Sequence, residues 1–301
     1  MKLTTWRDRL IGHDALNFAL TNRIPRVALT HVVGWLSHIN NPRLARVLIA
    51  VWRLFSDLDL SDAKPTRYNS LHECFVRELV DGARPFDART EVLASPSDAI
   101  VGACGRVRQG LLLQAKGMAY ALHDLLGDDA RAAPFLNGQY VTLRLTSSMY
   151  HRFHAPDDLQ VDEVVYFSGD AWNVNPPALA RVPKLYCKNE RALLSCRLRD
   201  GTPLALVPVA AVLVASIRLH FADVLLHLRY RGANPIACDA QLTRGEEMGW
   251  FEHGSTIIVF TPPGFELAPG IATGARIQAG QALLRRQDAS PEPRPQDHPS
   301  R

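Results

Sequence analysis

The chain has 301 residues, of which 47% are hydrophobic, so it can fill one large core or two modest ones and is not disordered as a whole. Its formal charge of +4 is spread along the sequence without a long basic block, which argues against a nucleic-acid-binding protein. The same small positive excess leaves a weak preference for anionic membrane surfaces open.

The cysteines are odd in number and form no C-x-x-C pair, and no secretory signal is recognised at the start of the sequence. We therefore expect reduced, structural thiols. They are Cys74, Cys104, Cys187, Cys196 and Cys238.

Residues 1–80 are predicted to form short helices that are separated by Pro25, Pro42 and Pro65. The most apolar stretches, 26–39 and 44–55, are interrupted by polar or charged residues. Neither reaches the roughly 20 apolar residues that a membrane-spanning helix needs. No transmembrane segment is therefore predicted.

The segment from Leu44 to Phe55 carries apolar residues at the i, i+3, i+4, i+7, i+8 and i+11 positions, the spacing of an amphipathic helix. Its charged residues Arg43, Arg46 and Arg53 are placed to meet water or lipid headgroups. The apolar face could pack on the protein's own core or contact a membrane, and the spacing leaves both interpretations open.

From about Glu91 to Arg286 the pattern changes to short β-like runs between glycine, proline, asparagine and aspartate residues. The runs are Tyr140 to Leu145, Glu163 to Phe167, Leu204 to Ile217 and Thr256 to Phe260. One helix is predicted among them, from Met118 to Leu126.

These patterns predict an α+β fold in which an N-terminal helical region precedes a mainly antiparallel β core of barrel or sandwich type. The expected divisions are a membrane-associating helical region at 1–80 and a β-rich catalytic domain at 81–286. Residues 287–301 are rich in proline, aspartate, serine and glutamine and are expected to form a disordered tail.

The pair Gly254-Ser255 stands directly before the β-branched run 257–259, where a turn is the ordinary interpretation. Backbone self-cleavage needs a serine hydroxyl beside a residue that tolerates strain and has no side-chain bulk, and glycine meets both conditions. Attack of Ser255 on the Gly254 carbonyl would convert the amide to an ester. Elimination and hydrolysis would then leave an N-terminal pyruvoyl group.

Two histidines, His151 and His154, lie in the stretch Tyr-His-Arg-Phe-His-Ala-Pro at 150–156. They would face opposite sides of a strand, yet could converge from a turn or a helical stretch. An ordinary pKa of about 6.5 suits both to proton transfer at neutral pH. A surface pair and half of a metal site are the alternatives, but no motif completes a zinc site, so no metal is predicted.

Asp98 follows Ser95-Pro96-Ser97 and precedes an apolar strand, where a turn or capping role is the ordinary interpretation. In a triad such an aspartate would instead orient a histidine and stabilise its imidazolium form. Asp98, His151, His154 and Ser255 together supply one nucleophile, two bases and one orienting acid.

With these residues in place, the sequence resembles the phosphatidylserine decarboxylase family from about Tyr68 to Leu284. The matching stretches are numerous and occur in the family's order. They are Phe75-Val76-Arg77-Glu78-Leu79, Ala83-Arg84-Pro85-Phe86-Asp87, Ser95-Pro96-Ser97-Asp98, Leu113-Gln114-Ala115-Lys116-Gly117, Tyr150 to Pro156, Asn189-Glu190-Arg191, Glu247-Met248-Gly249 and Gly254-Ser255-Thr256.

The resemblance implies a self-processing triad of Asp98, His154 and Ser255, with His154 as the base that activates Ser255 and Asp98 holding that imidazole. Cleavage between Gly254 and Ser255 would give a large β chain and a small α chain that stay associated as a heterodimer. The pyruvoyl group made from Ser255 would be the covalent cofactor. His151 is the candidate general acid.

The implied reaction converts phosphatidylserine to phosphatidylethanolamine and carbon dioxide through a Schiff base with the pyruvoyl group, which acts as an electron sink. The expected location is the cytoplasmic side of the cell membrane, as a peripheral protein on an anionic surface. A homo-oligomer is left open. The alternatives are a pyruvoyl-dependent decarboxylase of another amine-bearing carboxylate and an unprocessed homologue that only binds lipid.

Two positions depart from the family pattern. His253 stands before Gly254, where a small or aliphatic residue is common, so an ionisable ring lies beside the expected cleavage site. Ala210, Ala211 and Ala215 stand where some glycines are expected, which affects the backbone geometry and any lipid contact of that loop.

Overall fold

The computed structural model describes Phe18 and residues 25–115, 118–211, 216–252 and 255–287, with Arg26, Val27 and Ser255 described by their backbone alone. In chain order the helices are α1 (Arg26–Ser37), α2 (Pro42–Phe55), α3 (Leu71–Phe75), α4 (Leu122–Leu126), α5 (Asp129–Ala132), α6 (Pro176–Leu179) and α7 (Leu185–Lys188), with a 3₁₀ turn at Ala133–Phe135.

The strands, numbered along the chain, all pair antiparallel. They are β1 (Val92–Ala94), β2 (Ala99–Arg106), β3 (Leu111–Ala115), β4 (Met118–Ala121), β5 (Gln139–Leu145), β6 (Arg152–His154), β7 (Leu159–Phe167), β8 (Arg191–Leu198), β9 (Pro203–Ala210), β10 (Ser216–Leu219), β11 (Val224–His227), β12 (Ile236–Leu242), β13 (Glu247–Phe251), β14 (Ser255–Thr261), β15 (Phe265–Leu267), β16 (Arg276–Ile277) and β17 (Ala282–Arg286).

An eight-stranded sheet in the order β12-β7-β8-β9-β14-β5-β2-β16 forms the centre of the described fold. Beside it lie a four-stranded sheet, β11-β10-β13-β6, and a three-stranded sheet, β1-β17-β15. The strands β3 and β4 form a separate hairpin. The large sheet has two different strands at its ends, so it is open in the part of the chain that the structure describes.

Strand β14 runs through the middle of the large sheet, paired with β5 on one side and β9 on the other. Its side chains alternate between two apolar cores because successive residues of a strand face opposite sides. Ile257 and Val259 pack in one core, with Phe153 and Phe251, while Ile258 and Phe260 pack in the other. The continuous β-branched run therefore marks a strand that is buried on both faces.

Helix α2 begins at Pro42, where the side chain of Asn41 accepts hydrogen bonds from the backbone N–H groups of Arg43 and Leu44 at 3.0 and 3.2 Å. Only Ala45 of this helix is buried. The exposed fractions of its apolar side chains reach 59% at Val47 and 61% at Phe55, and Trp35 of α1 is 70% exposed. The predicted helix is thus present, and much of its apolar face points away from the protein's own core.

In the described residues, no helix has both the length and the apolar character needed to cross a bilayer. All five cysteines are free, as expected from the sequence.

The predicted α+β class is confirmed, but the barrel or sandwich form of the β core is not. The helix predicted from Met118 to Leu126 is wrong in its first half. Met118–Ala121 pairs with β3 as a strand, and the helix begins only at Leu122. Pairing with the neighbouring strand, with Tyr120 1% exposed, outweighs the local helical pattern.

The run predicted from Leu204 to Ile217 divides into β9 and β10, and residues 212–215 between them lie outside the described residues. The other three predicted strand runs are present. Two are longer by one or two residues, and the run predicted from Glu163 begins four residues earlier, at Leu159. Of the tail expected at 287–301, residues 288–301 lie outside the described residues. The predicted domain boundaries remain predictions.

Gly249 in β13 is required by close backbone packing rather than by a turn. A Cβ atom at this position would overlap the carbonyl oxygen of Arg218 in the neighbouring strand β10. Backbone atoms held in a sheet cannot move aside as the end of a flexible side chain can.

We therefore expect Gly249→Ala to lower the Tm by at least about 6 °C, the effect of a steric clash worth roughly 3 kcal/mol. Gly264→Ala is the matched control, because its φ is +100° but nothing lies within 4 Å of the added Cβ. It should lose only about 2–4 °C, for a strain of about 1 kcal/mol. Equal Tm values for the two variants, measured by calorimetry, would contradict the packing argument.

Candidate active site

Three chain segments meet around the start of β14. Ser255 pairs through its backbone with Leu145, the last residue of β5, and with Ala210, the last residue of β9. The chain that leaves Leu145 reaches β6, where His154 pairs with Glu247 of β13. The histidine-containing stretch 150–156 and the segment that leads to Gly254-Ser255 therefore run side by side.

The ring of His154 is held at both nitrogens. Its Nδ1 lies 2.9 Å from the carbonyl oxygen of Gly245, and its Nε2 lies 3.0 Å from the hydroxyl oxygen of Tyr150. A carbonyl only accepts, so Nδ1–H donates to Gly245 and Nε2 is the basic nitrogen, which accepts from Tyr150. Burial lowers the pKa of His154, which keeps the ring neutral near pH 7.

Gly245 can supply this carbonyl because it lacks a side chain. Its φ is +84°, a left-handed conformation that favours glycine, and a Cβ atom would lie 3.1 Å from the ring of Phe86. The centroid of that Phe86 ring lies 5.7 Å from the centroid of His154. A side chain at position 245 would therefore disturb the ring that packs beside His154.

Asp98 forms a two-point ion pair with Arg84, whose Nε and Nη2 donate to the carboxylate at 2.8 and 2.7 Å. The backbone N–H of Ala279 donates to the same carboxylate at 2.9 Å. These hydrogen bonds to Asp98 raise the pKa of Arg84 above its usual range. The carboxylate of Asp98 is thus fixed in orientation by a partly buried guanidinium.

The turn that carries Asp98 contacts His154 through the backbone, since the His154 N–H donates to the Pro96 carbonyl at 2.8 Å. Among the hydrogen bonds described for Asp98 and His154, none joins the two side chains directly. Burial lowers the pKa of His154, and the hydrogen bond to Gly245 and the charge of Glu247 oppose this effect more strongly than the charge of Asp98 does.

His151 is fully buried, and its Nδ1 lies 2.8 Å from the carbonyl oxygen of Met149. Its own carbonyl accepts from the Phe251 N–H at 3.0 Å, which places its backbone against the end of β13. The His151 ring lies 4.0 Å, between centroids, from Phe75 of α3, and Phe75 stacks on Trp52 of α2 at 5.6 Å. A row of rings thus joins the amphipathic helix to His151.

Arg152 and Glu247 join the two matching stretches on either side of the site. The Nη1 of Arg152 lies 3.0 Å from each oxygen of Glu247, and its Nε donates to the Val76 carbonyl at 2.9 Å. The guanidinium also lies over the ring of Trp250, 5.0 Å from its centroid. These contacts fix β6 to β13 and to the residues after α3.

Asn189 and Glu190 support the other neighbour of Ser255. The Nδ2 of Asn189 donates to the Ala210 carbonyl at 2.9 Å, and the Ala210 N–H donates to the Glu190 carbonyl at 2.9 Å. The carboxyl group of Glu190 accepts from the Tyr166 hydroxyl at 2.5 Å, and burial raises its pKa to about 7. The Ala210 partner of Ser255 is thus held by buried polar residues.

A cavity of about 630 Å³ lies beside the chain that leaves Leu145. Its lining mixes apolar groups with charged groups of both signs. The lining residues include Phe55, Arg77, Asp98, Thr146, Tyr150 and Arg276. It therefore extends from the end of α2 to the Asp98 side of the site.

The structure describes Asp98, His151 and His154 in full and Ser255 by its backbone alone. His154 contacts the Asp98 turn through Pro96, and His151 contacts the end of β13 through Phe251. Gly254 and His253 lie outside the described residues, as do Lys116 and Gly117 of the matching stretches. The roles of Arg84, Tyr150 and the Gly245 carbonyl were not predicted. Arg84 and Tyr150 do occur in the matching stretches. Their occurrence there indicates that they matter, but it does not predict which groups they contact.

A family model for phosphatidylserine decarboxylase matches residues 71–285 of the chain. Similar proteins include the phosphatidylserine decarboxylase proenzymes of Yersinia pestis (strain Pestoides F) and Yersinia pseudotuberculosis (serotype O:1b, strain IP 31758). Each is 35% identical to this chain over 282 residues, which cover 90% of this chain and 96% of the relative. The chain belongs to the phosphatidylserine decarboxylase family. Its relatives carry the name of a carboxy-lyase that is made as a precursor.

We expect NMR titration of the histidine ring protons to give His154 a pKa below the ordinary 6.5. Below that pH the unfolded chain binds more protons at this residue than the folded chain does, so stability falls as the pH drops through this range. The ring-proton signals that are missing from His154→Gln belong to His154. The Tm of this variant should fall less between pH 7 and pH 5 than the Tm of the parent. A His154 pKa above 6.5 would contradict the assignment.

Proposed function

We propose that the chain is a phosphatidylserine decarboxylase whose covalent pyruvoyl group is made from its own Ser255. The observation that carries the proposal is the position of Ser255 at the start of the doubly paired strand β14, with His154 in β6, which pairs with the preceding strand β13. Family membership over residues 71–285 supplies the reaction class. The product would be phosphatidylethanolamine, released with carbon dioxide.

In the proposed cleavage, the basic Nε2 of His154 takes the proton of the Ser255 hydroxyl, and the oxygen attacks the Gly254 carbonyl. The Gly254–Ser255 C–N bond breaks as the nitrogen gains that proton, which leaves an ester. Loss of the Ser255 Cα proton then breaks the Cβ–O bond and frees the Gly254 carboxylate. Hydrolysis of the dehydroalanine that remains releases ammonia and leaves a ketone.

Tyr150 occupies the Nε2 of His154 in the described structure, so this hydroxyl must yield that position when His154 accepts the proton from Ser255. We propose that Asp98 completes the triad by its charge. A negative carboxylate fixed by Arg84 stabilises the imidazolium form of His154 without being displaced by solvent. The support is the position of the Asp98 turn, whose Pro96 carbonyl accepts from the His154 N–H at 2.8 Å.

The pyruvoyl group would supply an electrophilic carbonyl for the amine of the substrate and an electron sink for the departing carboxylate. The residues around the start of β14 fit such a group, because both neighbouring strand ends are held and a cavity adjoins Thr146. His151 would deliver the proton to the product carbon. Its complete burial excludes bulk water from that proton.

We further propose that the apolar face of α2 docks on a lipid surface at the cytoplasmic side of the cell membrane. The exposed Val47, Val51 and Phe55 provide apolar contact, and the arginines of the same helix favour anionic headgroups. Phe55 also lines the cavity beside Asp98. Substrate could therefore pass from the lipid surface to the site without crossing open water.

The purified protein should release carbon dioxide from phosphatidylserine vesicles and accumulate phosphatidylethanolamine, as detected by lipid mass spectrometry. Free serine should release none, because a soluble amino acid lacks the phosphate and lipid parts of the expected substrate. Ser255→Ala should abolish the release, and Ser195→Ala in β8 is the matched control. Equal turnover of free serine would favour the alternative of another amine-bearing carboxylate. Full activity of Ser255→Ala would overturn the proposal.

Substitution of His151 and substitution of His154 are expected to affect different steps. His154→Gln should remain a single uncleaved chain, whereas His151→Gln should be cleaved but show a kcat at least about 100-fold lower, the usual effect of a lost general acid. Gel electrophoresis and carbon dioxide release measure the two effects separately. His31→Gln, an exposed histidine of α1, is the control. If cleaved His151→Gln has the kcat of the parent, His151 is not the general acid.

The double variant Val47→Ser/Val51→Ser should bind phosphatidylserine vesicles at least about tenfold more weakly in a sedimentation assay, because it loses apolar contact with the lipid. The control Leu136→Ser/Leu225→Ser replaces two leucines outside α2 that are 43% and 36% exposed, and it should bind vesicles like the parent. If both double variants bind vesicles equally, α2 is not the docking face.

A further inference from the structure

Three metal-ligating side chains come together at a place that the proposed reaction does not use. His38 follows the last residue of α1, His72 lies in α3, and Glu252 follows the last residue of β13. One ligand atom from each lies within 4.8 Å of the others. They are far apart in sequence, which is why no spacing motif indicated them.

The His38 ring is oriented as a metal-ligating histidine usually is. Its Nδ1 lies 2.8 Å from the Gly34 carbonyl, which can only accept, so Nδ1 carries the proton and Nε2 presents a lone pair. That Nε2 lies 3.6 Å from the Oε2 of Glu252. A lone pair facing a carboxylate oxygen is repulsive unless a proton or a cation lies between the two atoms.

His72 faces the other carboxylate oxygen of Glu252 in the same way as His38 faces the first. Its Nε2 lies 3.9 Å from the Oε1 of Glu252, and its ring stacks on His38 with centroids 4.1 Å apart. Two stacked imidazolium rings would repel each other. The carboxylate of Glu252 faces one ring nitrogen of each histidine.

The separations are close to what a metal ion requires. Two ligand atoms that bind one tetrahedral Zn²⁺ at about 2.0–2.1 Å lie roughly 3.3 Å apart. The observed nitrogen-to-oxygen separations of 3.6 and 3.9 Å exceed this value by only a few tenths of an ångström. The half-exposed His38 ring, stacked on His72 with 22° between the ring planes, would have to turn for both Nε2 lone pairs to point at one ion.

We propose that His38, His72 and Glu252 form a binding site for a divalent transition-metal ion of the zinc class, with water in the remaining position. Two imidazoles and one carboxylate are a ligand set that Zn²⁺ accepts. Glu252 is two residues before Gly254, so a bound ion ties α1 and α3 to the segment that carries the expected cleavage site. His253 lies outside the described residues and has no part in this proposal.

The test uses the full chain, purified, stripped with EDTA and reloaded with Zn²⁺, followed by desalting and elemental analysis. One Zn²⁺ per chain should be retained, and the ion should raise the Tm because it binds the folded state. His38→Ala and Glu252→Gln should each weaken Zn²⁺ binding at least about tenfold. His31→Ala, exposed on the same helix, should bind Zn²⁺ like the parent.

Co²⁺ gives a second readout that does not depend on activity or on cleavage. Loaded into the parent, Co²⁺ should show visible absorption bands typical of a nitrogen- and oxygen-ligated site, and Glu252→Gln should lose them. The same result is expected in Ser255→Ala, so this test is independent of the proposed pyruvoyl chemistry. Retention of less than about 0.2 equivalents of Zn²⁺ by the parent, or equal retention by folded His38→Ala, would overturn the proposal.

Discussion

The double pairing of β14 is the constraint on which the rest of the structure depends. This strand begins at Ser255, is hydrogen-bonded to β5 and β9 along its length, and is buried on both faces. A chain cut immediately before such a strand keeps its fragment, because removal would expose both apolar cores and leave two neighbouring strands unpaired. A reactive new terminus can therefore be made at position 255 without losing the fold.

The same arrangement explains why the histidines are found where they are. The end of β5 pairs with Ser255, and the chain beyond it returns along β13, which directly precedes the proposed cleavage segment. His151 and His154 lie on this return path. The bond from His154 to the Gly245 carbonyl and the Arg152–Glu247 pair then fix the path from both sides. Site geometry thus follows from strand order rather than from any single contact.

The α+β class, helix α2 and the central strands could be predicted from the sequence because each has a strong local period. Strand β14 carries a run of β-branched residues, and α2 carries a clear 3.6-residue pattern with a cap at Asn41. The Met118–Ala121 segment was mispredicted because its pairing with β3 is a tertiary effect, which overrides a helical pattern of a few residues.

Within the site, residue types could be predicted but partners could not. His154 and Asp98 were named from their motifs, yet the two-point bond of Asp98 to Arg84 and the bond of His154 to Tyr150 depend on the folded chain. The cluster of His38, His72 and Glu252 has no sequence signature, since its members come from two helices and the end of a strand. Only three-dimensional proximity reveals it.

The central claim, that Ser255 becomes the N-terminal pyruvoyl group of a small chain held by β14, is tested most directly by intact mass spectrometry of the purified protein. The account predicts two chains that separate only on denaturation, cleaved between Gly254 and Ser255. The small chain should be lighter by one ammonia than a chain with an N-terminal serine, and it should react with a ketone-specific hydrazine. A single intact chain, or a small chain with a free N-terminal serine, would contradict it.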